Sequence, residues 1–114
     1  MAELPEEITT IVLELQKQLL SVIHKTTETT FILLETYGET ELTIISLNDL
    51  DNIRERANTY YSRFYTLLLR IADSQPTASN AMLELLERSI EEAQGTIAAS
   101  EGTIKDEKRN WNLS

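Results

Sequence analysis

Between residues 50 and 71 the apolar side chains fall at Leu50, Ile53, Ala57, Tyr60, Phe64, Leu67 and Ile71, in steps that alternate between three and four. A strand would alternate every second residue, whereas steps of three and four keep one row on one face of a helix. Sustained over three heptads, the pattern predicts a long helix that packs lengthwise on another helix. Ser46-Leu47-Asn48-Asp49 resembles a capping box with Asp in place of Glu, and Ser74-Gln75-Pro76 breaks the pattern. The helix is therefore expected over about 47–74.

A second row of this kind lies towards the C-terminus, at Leu83, Leu86, Ile90, Ala93, Ile97, Ser100, Ile104 and Trp111. Ile90, Ile97, Ile104 and Trp111 within it are each seven apart. Lys105, Lys108 and Arg109 place positive charge at the negative end of the helix dipole. A helix over about 77–110 follows, roughly 50 Å long at 1.5 Å per residue.

The N-terminal third is less uniform. Pro5, Glu6 and Glu7 suit a helix start, and Ile8, Ile11, Val12, Leu15, Leu19, Val22 and Ile23 keep helical spacing. Thr26, Thr27, Thr29 and Thr30 then interrupt with stiff, modest helix formers before Phe31-Ile32-Leu33-Leu34, Tyr37 and Gly38. One reading is a helix over about 6–37, closed by Gly38 as a C-terminal cap. The other is a β-hairpin over about 30–46, favoured by the β-branched content. Phe31 to Leu34 does not alternate, and an isolated two-stranded ribbon is marginal, so the helix is preferred. The expected architecture is one domain over 1–114, an all-α antiparallel bundle of three long helices, with the α+β hairpin form as the alternative.

Bulk properties narrow the function. The chain has 114 residues and no cysteine, which excludes disulfides and thiolate chemistry. No apolar run reaches the length of about 18 residues that a membrane span needs. The stretch MAELPEEITT is acidic where a secretory leader would be basic, so a cytoplasmic location is expected and a membrane partner is not. A formal net charge of −9 disfavours general nucleic-acid binding.

Candidate sites are few. His24, the one histidine, has Glu28 a turn later, which is short of a metal site because no second His or Cys exists. The carboxylates of Glu84, Glu87, Glu91 and Glu92 fall outside the core row, and no Glu-x-x-His pair accompanies them. Neither a nucleophile–base set nor a Gly-rich phosphate loop is present. No catalytic residue, metal ligand or cofactor is therefore assigned.

Two features point to protein partners. Arg56, Arg63 and Arg70 are spaced by seven and flank the 50–71 row, with Tyr61 and Tyr65 among them. Arg and Tyr dominate interface hot spots, and the neutral residues Met82, Ser89 and Thr96 on the next helix offer these arginines no acid. Gly95, Ala98, Ala99 and Gly102 form a smooth strip opposite the core row, where a second copy could approach closely. The sequence thus favours a non-catalytic protein–protein interaction module acting as a homodimer. The alternatives are an acidic inhibitor that imitates nucleic acid and a sensor binding a small ligand near Thr26–Thr30.

Overall fold

The structure, a computed structural model, describes residues 4–113. Residues 1–3 and 114, which the expected 1–114 domain includes, lie outside them. Three helices follow in order: α1 Glu6–Tyr37, α2 Glu41–Asp73 and α3 Asn80–Asn110. All three pack against one another, and the described residues contain no strand. The chain is an all-α three-helix bundle, and the hairpin alternative at 30–46 is not what forms. The long dimension is 56 Å against 20 and 17 Å across. A helix of 32 residues is about 48 Å long, so helix length sets the length of the rod.

Each boundary has a local cause. The Pro5 carbonyl accepts from the Ile8 and Thr9 amides and opens α1. Gly38 ends it at φ +73°, a conformation that L side chains rarely adopt, with its N–H donating to the Leu34 carbonyl at 2.9 Å. At the start of α3, Ser79 accepts from the Met82 amide at 3.1 Å.

The start of α2 corrects the sequence reading. The helix begins at Glu41, not near residue 47, because Thr40 and Thr43 cap each other. The Thr43 amide donates to Thr40 Oγ1 at 3.1 Å, and the Thr40 amide donates to Thr43 Oγ1 at 2.7 Å. The Thr43 hydroxyl also donates to the Gly38 carbonyl at 2.9 Å. Two threonines thus do the work of the usual Ser/Thr and Glu pair. The α1–α2 connection shrinks to residues 38–40.

One continuous apolar core runs along the axis. It takes Val12, Leu15, Leu19 and Val22 from α1, and Leu50, Ile53, Ala57, Phe64, Leu67 and Ile71 from α2. From α3 come Leu86, Ala93, Ile97 and Ile104. The α2 row is the one its spacing predicts, with Tyr60 half-buried at its edge. On α3, Leu83 is exposed and Ile90 only half-buried, while Ser89 is fully buried. On α1 the threonines that interrupt the apolar pattern are core residues: Thr26 and Thr29 are buried, while Ile11 is exposed. Thr26 donates to the Ile23 carbonyl at 2.9 Å and Thr29 to the Lys25 carbonyl at 2.7 Å. A hydroxyl bonded to its own helix can be buried without leaving an unpaired polar atom.

The far end is clasped by Trp111. Its ring packs against that of Tyr37 at 5.0 Å between centroids, and its indole N–H donates to Ser46 Oγ at 3.0 Å. The Tyr37 hydroxyl donates to the Trp111 carbonyl at 2.7 Å. The end of α3 is thereby joined to the end of α1 and the beginning of α2.

Thr43→Val keeps the buried volume but removes both hydroxyl bonds. It is expected to cost about 1–2 kcal/mol, as loss of a helix cap does, and to speed amide exchange over 41–46. Urea unfolding with hydrogen exchange measures both, and an unchanged midpoint would disprove the capping role.

Candidate functional site

The arginine row of α2 does not stay free along its length. Arg63 Nη1 lies 3.4 Å from Ser89 Oγ and 3.9 Å from the Glu92 carboxylate, both on α3. Its guanidinium carbon is 5.1 Å from the centre of the Tyr60 ring. The neutral residues Met82, Ser89 and Thr96, which spacing sets opposite the arginines, are not the whole of that flank. Glu92, one turn beyond Ser89, supplies the acid. The ion pair with Glu92 is long and partly exposed, so it contributes little to stability, whereas the contact with Ser89 ends on a fully buried hydroxyl. Arg56 and Arg70 are exposed, and among the described residues no carboxylate, Asp73 included, comes within 4.0 Å of either.

The tyrosines belong elsewhere. Tyr61 and Tyr65 are each two residues from Arg63, hence about 200° around the helix. The arginines occupy the flank of α2 that meets α3, and Tyr61 with Tyr65 the flank that meets α1. Tyr61 is half-buried there and Tyr65 exposed. The candidate surface of Arg56, Arg63, Arg70, Tyr61 and Tyr65 is therefore two separate flanks.

On α3 the small residues do come together. Gly95, Ala98, Ala99 and Gly102 are all exposed on a helix that runs unbroken through both glycines. Apart from its own stretch of helix, a methyl group added at Gly95 or Gly102 would meet none of the described residues within 4 Å. The strip is thus open to solvent and turned away from the buried row of Ala93, Ile97, Ser100 and Ile104.

The polar candidates are placed as follows. His24 Nε2 sits 3.6 Å from Glu28 Oε2, with both side chains well exposed. Glu84, Glu87, Glu91 and Glu92 are exposed along α3. Among the described residues no three His, Cys, Asp or Glu side chains gather where a metal ion could bind. The hydroxyls of Thr26, Thr27 and Thr29 bond to carbonyls of α1 itself. Among the described residues no buried side-chain polar atom lacks a partner. Among the described residues no helix is long and apolar enough to cross a membrane.

An apolar surface stands outside the rows that the sequence assigns to the core. Leu13, Leu20, Phe31 and Leu34 on α1 and Ile44, Tyr65 and Leu69 on α2 remain exposed after the core is complete. A signal was present, since Leu13, Leu20, Thr27 and Leu34 are spaced by seven, out of phase with the buried row. No protein-family model, curated protein or solved structure matches this chain.

Arg63→Ala should lower stability by about 1–2 kcal/mol, chiefly because the buried Ser89 hydroxyl loses its partner, the ion pair being long and half-exposed. Phe64→Ala, one residue on and fully buried, should cost about 3–5 kcal/mol. Denaturant titration of the two variants checks the contrast, and a comparable loss at Arg63 would make its contact with α3 structural.

Proposed function

We propose that this chain is a non-catalytic protein–protein interaction module, an adaptor, regulator or assembly subunit, working in the cytoplasm as a homo-oligomer. The carrying observation is the set of large apolar side chains left exposed in a row along α1 and near both ends of α2, in a bundle whose core is already filled. Large apolar side chains left exposed together on one side of a protein often mark a place where another protein sits. Chemistry has little to work with by comparison, since the one histidine is exposed and faces a single carboxylate.

Self-association is assigned to α3. Gly95, Ala98, Ala99 and Gly102 leave the helix surface smooth, so a helix of a second copy can approach closely across a two-fold axis. A nucleic-acid-mimicking inhibitor fits less well, because Arg56 and Arg70 interrupt the negative surface.

Sedimentation of three versions tests the homo-oligomer. Wild type is expected to be dimeric, and replacing Gly95 and Gly102 together by Leu should shift it to monomer. Replacing both by Ala should preserve the dimer and add up to about 1 kcal/mol of helix stability per site. A wild type that stays monomeric at high concentration, or a Leu variant that dimerises equally well, overturns the assignment.

A further inference from the structure

We propose that the face made by the outer sides of α1 and α2 docks a basic amphipathic helix of another protein, which rests on the interaction-module reading and names its partner. The position of this face follows from contacts with α3. Lys25 of α1 reaches Glu101 of α3 at 3.8 Å, so that flank of α1 meets α3. Leu34, nine residues on, is about 180° away and lies on the α2 side. Arg63 marks the flank of α2 that meets α3, and Tyr65 sits about 200° from it, on the α1 side. The outward apolar residues of both helices therefore look out on the same side of the bundle, away from α3.

Leu13, Leu20, Phe31 and Leu34 fall within about 60° of one another around α1. They are 54%, 51%, 55% and 41% exposed, and Tyr65 and Leu69 on α2 are 59% and 50% exposed. From Leu13 to Leu34 the row is about 31 Å long, the length of a helix of some 20 residues. Antiparallel packing brings Leu13 level with Tyr65 and Leu69, and Phe31 with Leu34 level with Ile44. The result is an apolar row along α1, widened by α2 residues at its two ends and bordered by polar α2 residues between them, suited to the apolar stripe of a third helix.

Charge decides what kind of helix fits. Glu6, Glu28 and Glu35 border the row on α1, and Asp51, Glu55 and Asp73 on α2, all exposed. The cations on this side are Lys17 and Arg54, and Arg54 is bound to Asp51 at 2.8 Å. Asp51, by hydrogen bond first and charge second, raises the Arg54 pKa further above its ordinary value, so the Arg54 charge is directed at its own helix. Of the ten Lys and Arg in the chain, the other eight lie elsewhere. Lys25 turns to α3, Arg56, Arg63 and Arg70 take the opposite flank of α2, and Arg88, Lys105, Lys108 and Arg109 are on α3. Two copies meeting through this face would set carboxylate rows against each other. A helix with leucines at three-and-four spacing bordered by lysines satisfies both the apolar row and its acidic edges.

The test is fluorescence anisotropy of three labelled synthetic peptides titrated with the full chain. The first carries a leucine stripe at three-and-four spacing bordered by Lys, the second has Glu for Lys, and the third is the first with its order scrambled. The Lys peptide should bind at least about tenfold more tightly than either other, and Leu20→Ser and Phe31→Ser should each weaken it about tenfold. Removing charge on the face with Glu28→Gln and Glu55→Gln should weaken binding several-fold and flatten its salt dependence, while Glu91→Gln on α3 changes nothing. The exposed sites should leave circular-dichroism melts unchanged. Equal binding of the scrambled peptide, or wild-type binding by both Ser variants, overturns the docking site. So does conversion of a dimer to monomer by Leu20→Ser, which would assign the face to a second copy. Such results with the α3-dependent dimer intact leave the interaction-module reading standing, whereas a monomer that binds no peptide ends both.

Discussion

Three buried rows, one per helix, have to close on a single axis, and every other property of this molecule hangs on that closure. Most of the stability of a helix in a protein comes from burying its apolar face rather than from intrinsic propensity. Here the cross-section is only 20 by 17 Å, so each helix reaches the core with one row and no second layer stands behind it. Ala57 and Ala93, both fully buried, help the axes approach closely, while Phe64 fills space in the same core. A lost side chain has no neighbours from an outer shell to collapse into its place.

The composition of the rows changes towards the α1–α2 turn. Thr26, Thr29, Thr43 and Ser46 are buried in that half, and Leu33, although fully buried, stands apart from the continuous apolar cluster. Less apolar area is therefore removed from water there, and hydrogen bonds take over part of the task. The Thr40–Thr43 cap and the Trp111 bonds to Ser46 and Tyr37 all lie in this half. The end with the thinnest apolar core is the end that is tied by polar contacts.

How much could be read from the residues depended on how local the cause was. The α2 row and the Gly38 stop follow from spacing and backbone preference alone, and the structure has them where the residues imply. The start of α2 did not follow, because Thr40 and Thr43 cap each other outside the familiar Ser/Thr and Glu pattern. Thr26 and Thr29 read as interruptions because a hydroxyl looks polar until its own carbonyl acceptor, one turn back, is known. The partner of Arg63 was hidden for a different reason: pairing across helices depends on axial register, which no short stretch specifies. The outward row of Leu13, Leu20 and Leu34 was legible by period, but once one row accounts for a core the remaining leucines look incidental. Only the finished bundle separates the residues it needs from those it leaves over.

The small-residue strip and the acidic apolar face lie on opposite sides of the rod. Two copies joined back to back through α3 would carry a pair of like docking faces pointing away from each other. Such a particle is bivalent without any flexible linker, and the spacing of its two sites is fixed by helix packing. A partner assembly displaying basic helices at matching spacing would gain avidity from the second contact, because binding the first raises the effective concentration of the other. Partners with single helices would instead be bridged into pairs, so the same bundle could act as a clamp or as a crosslinker according to the valence of what it meets.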